Sequence, residues 1–119
     1  LQPHRPERLF YSASPVGFRM EWALKLQEAG VEIELPTPER ASEGTPADEI
    51  HLEMDVSEQL DTKIACINCH QTQMAPDWPY EKIPRALAAS ILGREHYIRA
   101  WPEVSPGESM SNNFFHNLK

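Results

Sequence analysis

Ile83-Pro84-Arg85-Ala86-Leu87-Ala88-Ala89-Ser90-Ile91-Leu92-Gly93-Arg94-Glu95-His96-Tyr97-Ile98-Arg99-Ala100-Trp101 is the longest stretch of regular pattern in the chain. Pro84 suits the first turn of a helix, where a missing N–H costs nothing. Leu87, Ile91, Ile98 and the neighbouring alanines recur at helical spacing and supply one apolar face. Pro102 and Pro106-Gly107 then bar continuation. The pattern predicts one helix from Ile83 to Trp101.

Working back from it, residues 72–82 (TQMAPDWPYEK) are broken by prolines and read as a loop. Residues 16–29 read as a second helix, with Phe18, Trp22, Leu24 and Leu26 mostly on one side and Gly30 placed to end it. Val31, Ile33 and Leu35 alternate with Glu32 and Glu34, the period of a half-buried strand. Ile50, Leu52, Met54 and Val56 alternate in the same way, which predicts a hairpin across the loop 36–47. A helix beginning at Thr45-Pro46 competes for this second stretch. Residues 1–15, rich in proline and charge, read as an extended arm. Residues 16–56 then make an α/β extension, and residues 57–119 a second region of one 119-residue domain. Eleven prolines imply a loop-rich body.

The chemistry concentrates in Cys66-Ile67-Asn68-Cys69-His70, which holds both cysteines of the chain. Two thiols one helical turn apart can add to the two vinyl groups of a single haem, and the following imidazole can reach its iron. Through these five residues the chain resembles the c-type cytochromes. The resemblance implies one covalent haem c, tethered by Cys66 and Cys69 with His70 as an axial iron ligand. It also implies single-electron transfer rather than enzyme catalysis, and a periplasmic or otherwise extracytoplasmic location after loss of a leader or anchor. The expected partners are redox proteins, among them a membrane-associated respiratory or photosynthetic complex. The expected fold is mainly α, or α+β: a small single-haem cytochrome c-like domain carrying an N-terminal helix and hairpin.

The second axial ligand decides the redox behaviour of such an iron. Met110, in a loop behind Ser105-Pro106-Gly107, is the first candidate, because a stiff turn can hold a thioether in place at low entropic cost. Met54, His96 and Met74 are the alternatives, and Met20, His51, His4 and His116 follow behind them. Trp78, Tyr80, Tyr97 and Trp101 are candidates to wall a haem pocket, and Arg85, Arg94 and Arg99 to pair with its propionates. Two other functional classes use the same residues. A thiol–disulfide oxidoreductase would work through Cys66 and Cys69, although SEQLDTKIA (57–65) is a polar approach to such a site. A five-coordinate haem would serve a sensor or a small-molecule enzyme. A structural zinc site wants four ligands, more than this motif offers.

The net charge of −7 speaks against nucleic acid as a partner, since a phosphate backbone attracts a basic surface. No stretch approaches the roughly 20 apolar residues of a membrane span.

Overall fold

The structure, a computed structural model, describes residues 1–74 and 82–118. Its elements run β1 (Leu9–Ala13), α1 (Phe18–Glu28), α2 (Pro38–Ser42), β2 (Leu52–Asp55), α3 (Leu60–Asn68), α4 (Arg85–Leu92) and β3 (Arg94–Trp101), with short 3-10 turns at 47–49, 57–59 and 71–73. This is an α+β arrangement. The mainly α expectation is therefore corrected, and with it the small cytochrome c-like fold.

The correction comes from residues 83–101. The helix stops at Leu92, and residues 94–101 form the central strand of the sheet. Gly93 marks the change: a Cβ there would lie 2.3 Å from the Ala89 carbonyl oxygen. Its own carbonyl accepts the Val56 N–H at 2.7 Å, so the chain leaves the helix already joined to the end of β2. Within α4, Ala88, Ile91 and Leu92 are buried, as helical spacing predicts. Ile98 fits the same spacing only because it stands seven residues, two helical turns, after Ile91. Beyond Gly93 it belongs to a strand of half-buried residues.

The sheet is antiparallel with order β1-β3-β2. Tyr11, Ser12 and Ala13 stand opposite Ile98, Tyr97 and His96, with a bulge between Leu9 and Phe10. On the other side of β3, Leu52, Glu53, Met54 and Asp55 face Tyr97, His96, Glu95 and Arg94. The N-terminal arm thus contributes a strand. The hairpin expected between 31–35 and 50–56 does not form. Its second half is β2, but its partner is β3. The competing helix at Thr45-Pro46 amounts to one 3-10 turn, Ala47–Glu49.

Residues 31–35 are no strand because they finish α1 instead. Gly30 takes φ +83°, its N–H reaches the Gln27 carbonyl at 2.9 Å, and the Val31 N–H reaches that of Leu26 at 3.0 Å. This pair of bonds is a Schellman motif, in which a left-handed residue lets the chain turn back over the last helical turn. Val31 and Ile33 then pack on the core, while the Gln27 amide donates to the Ile33 carbonyl. Alternation records which side chains are buried; it does not supply a neighbouring strand.

The core lies where α1, α3 and α4 meet. Leu26, Leu60, Ile83, Ala88, Ile91 and Leu92 form it, flanked by Phe18, Trp22, Ile64 and Ile67. A second apolar contact covers one face of the sheet, where Phe114 packs edge-on against Phe10 and Tyr97 at 5.0 and 4.8 Å. The molecule is elongated, 52 × 32 × 25 Å, with a radius of gyration of 16.9 Å. A compact chain of this length would have about 13.5 Å. Its accessible surface is 9081 Å², whereas folded monomers of this mass expose about 6,600 Å². No helix among the described residues is long and apolar enough to cross a membrane.

Candidate functional site

Asp55 starts the segment that carries the cysteines. Its carboxylate accepts the Ser57 N–H at 2.9 Å and the Ser57 hydroxyl at 2.6 Å. Those bonds, the hydroxyl's first, hold its pKa below the ordinary value. The turn they fix leads through 57–59 into α3. Leu60, Ile64 and Ile67 recur at helical spacing along α3, and this stripe packs on the core. The opposite side therefore faces solvent, and Cys66 lies on it in the last turn.

Cys69 caps the helix, and its N–H is shared between the carbonyls of Ala65 and Cys66, each at 3.2 Å. It is exposed too, and both thiols are free. His70 follows with its N–H on the Ile67 carbonyl at 3.0 Å, and its side chain is exposed. The chain then makes the 3-10 turn Gln71–Gln73, also exposed. The structure thus brings Cys66, Cys69 and His70 to one solvent-facing helix end. Two thiols a helical turn apart with an imidazole beside them fit the attachment of a porphyrin edge.

Of the candidates for the other axial position, Met74 directly follows the motif and the others stand on other segments. Met110 is 56% exposed and borders a cavity of about 500 Å³ together with Arg8, His51, Arg99 and Glu108. Neither cysteine nor His70 lines that cavity. Met54 stands on β2 opposite Glu95. His96 has Nε2 3.0 Å from a Glu53 carboxylate oxygen. The Nδ1 of His51 accepts the Arg99 N–H at 3.0 Å, so its neutral ring offers Nε2–H, a donor, and no lone pair for iron. Met20 is half-buried on α1, Met74 is half-buried just after the 3-10 turn, and His4 and His116 are exposed.

The three arginines hold carboxylates of the protein itself. Arg99 grips Glu108 through two bonds of 2.7 and 2.8 Å and donates through Nε to the Pro102 carbonyl. Its guanidinium is the main reason the Glu108 pKa lies below the ordinary value. Arg94 pairs with Glu53, and Arg85 with Asp61. Tyr97 packs on Phe114 and Trp101 lies under Arg5, 5.1 Å from its guanidinium carbon. Trp78 and Tyr80 fall outside the described residues.

One network escaped the sequence reading. Lys63 on α3 donates to the Leu92 carbonyl and pairs with Glu95 on β3, both at 2.8 Å, while the Tyr97 hydroxyl donates to the other Glu95 oxygen. Lys63, and after it Tyr97, holds the Glu95 pKa below the ordinary carboxylate value. Burial, and after it Glu95, pushes Tyr97 up to about 12. The sequence offered no local signal for it, because Ile98 carries the helical period past Gly93 and hides the strand that puts Glu95 and Tyr97 on one face. Among the described residues no group of three or more His, Cys, Asp or Glu side chains is placed to hold a metal ion.

No protein-family profile and no solved structure matches the chain. One curated protein resembles part of it: the 1D-myo-inositol 2-acetamido-2-deoxy-alpha-D-glucopyranoside deacetylase of Mycolicibacterium smegmatis, 33% identical over 64 residues. The similarity covers 52% of this chain and 22% of that deacetylase, so the chain spans about a fifth of its relative's length. A run of that share, wherever it starts among 119 residues, contains the beginning of α3.

Proposed function

We propose that this chain is part of a larger amidohydrolase that removes the acetyl group from an N-acetylated amino sugar. The carrying observation is the 33% identity to the sugar deacetylase. The large exposed area supports it, since a piece of a bigger fold keeps surface that its neighbours would cover. In such a reaction water adds to the acetamide carbonyl, the C–N bond breaks, acetate leaves and the freed amine takes up a proton. His70 is the group this segment offers for that proton, an exposed imidazole just past the end of α3. Gln71 and Gln73 next to it offer amides that can bond sugar hydroxyls.

A second reading rests on the end of α3. Cys66 and Cys69 would tether one haem c, and His70 would bind its iron, with Met110 as the proposed opposite ligand. The protein would then carry single electrons outside the cytoplasm to a redox partner. The attachment residues fit such a group. The cavity beside Met110 borders none of them, so this reading requires the loop 104–111 to be positioned differently when the haem is attached.

One preparation separates the two. The natural polypeptide is produced alongside haem-attachment machinery, its spectrum is recorded oxidised and reduced, and amine release from the acetylated aminosugar–inositol is followed. Amine release without a Soret band supports the hydrolase, and His70→Ala should then lower the rate about 10²-fold or more. A covalent Soret band without amine release supports the cytochrome. A rate unchanged in His70→Ala removes His70 from the reaction.

A further inference from the structure

The cavity beside Met110 has walls tied together by the chain's own bonds. Ser111 clips one of them to β2, giving its N–H to the His51 carbonyl at 2.9 Å and taking the Glu53 N–H at 3.0 Å. Arg99 holds the segment 102–108 through the Pro102 carbonyl and both Glu108 oxygens, and Glu108 also accepts the Ser105 N–H at 3.1 Å. Arg8 fixes the tail, since its guanidinium donates to the Phe114 carbonyl at 2.8 Å and to that of His116. At about 500 Å³ the space lies in the range of small-molecule sites, which are largely formed before their ligand arrives.

Two side chains bordering this cavity keep hydrogen-bond donors in reserve. A guanidinium carries five N–H groups. Arg8 uses two of them on the tail carbonyls, which leaves three, and among the described residues no carboxylate lies within ion-pair distance of it. Arg8 is half-buried, and a cation drawn out of water without a counter-ion is costly. His51 is half-buried as well. Its Nδ1 accepts the Arg99 N–H, so the neutral ring presents Nε2–H, which meets no acceptor among the described residues. Glu108 already answers the charge of Arg99. Asp48 also borders the cavity, but it is exposed, where water and salt screen it.

We propose that this cavity binds a small molecule through an oxyanion, a carboxylate or a phosphate, with Arg8 as the counter-charge and the His51 Nε2–H as a second donor. A guanidinium matches either oxyanion with two parallel N–H bonds. The imidazole adds direction without charge, and Phe10 and Ile50 supply apolar wall for the rest of the ligand. Neither cysteine nor His70 lines the cavity, so the site is independent of both readings of α3.

The test is isothermal titration of the natural polypeptide with inorganic phosphate and, separately, with acetate, at ionic strength held constant with sodium chloride. The His51 ring nitrogens are followed by NMR in the same titrations. Saturable binding of at least one anion is expected, with the Nε2 resonance moving more than Nδ1. Phosphate alone would assign the site to phosphate esters, and acetate alone to carboxylates. Arg8→Gln removes the counter-charge and should weaken binding about 10-fold or more. Ser109→Asp sets a carboxylate on the cavity wall and should weaken it too; Ser109 is exposed, so the fold has little need of its hydroxyl. A response that chloride reproduces overturns the proposal, as does an affinity unchanged in both variants. A polypeptide that binds neither anion also overturns it. Should Arg8→Gln release the tail and fail to fold, Ser109→Asp decides alone: weakened binding supports the site, and unchanged binding sinks it.

Discussion

Tyr97 and Glu95 lie two residues apart on one face of β3, and each shifts the other's titration. Tyr97 is raised from 10.0 to about 12, through burial first and Glu95 second. A group whose folded pKa is raised stabilises the fold fully below its unfolded value and loses that contribution as pH rises through its folded value. The stability owed to Tyr97 is therefore intact below pH 10 and disappears between pH 10 and about 12. Glu95 works in the opposite direction. Held below its ordinary 4.5 mainly by Lys63, it stabilises above that pH and loses the effect as pH falls. Thermal melts across pH should show both flanks. Tyr97→Phe should flatten the alkaline one, and Lys63→Met the acid one. An alkaline flank unchanged in Tyr97→Phe would mean the phenol is not held as described.

Gly93 sets the architecture at the level of elements, because it divides a sequence that reads as one helix. Gly93→Ala would put a Cβ 2.3 Å from the Ala89 carbonyl oxygen, against backbone that cannot swing away. The last turn of α4 must then open or β3 must shift, at a cost of about 1–3 kcal/mol, read from urea unfolding. A neutral result would mean the junction yields freely. What the sequence made legible follows the range of the interactions. α1 could be read because its stripe and its terminating Gly30 are local. Cys66, Cys69 and His70 fall together because they lie within five consecutive residues, but the helix that carries the cysteines, α3, was not read from the sequence. The strand character of 94–101 could not be read, because Ile98 happened to fall on the helical period. Nor could the partner of β2, because β3 lies about 40 residues downstream and alternation names no partner. Met110 was proposed from its place after a Pro-Gly turn, and its distance from α3 depends on contacts no local pattern encodes.

For the whole molecule, the decisive quantity is surface. The unfolded chain of 13.6 kDa would expose about 19,700 Å², and the fold retains 9081 Å² of surface. Unfolding one copy thus exposes about four-fifths of what a compact protein of this mass would expose. The slope of stability against denaturant scales with that difference. The urea m-value should therefore be about one-fifth below that of compact proteins of this length. The deficit has structural sources: the three-helix core is small, and the sheet leaves Leu9, Tyr11 and Trp101 exposed at one end. Covering that end with more of a longer polypeptide should raise both the m-value and the midpoint. An m-value at the full compact level in dilute solution would mean that the exposed segments fold back on their own chain. The surface would then need no partner, and the elongated outline would not be that of the protein in solution.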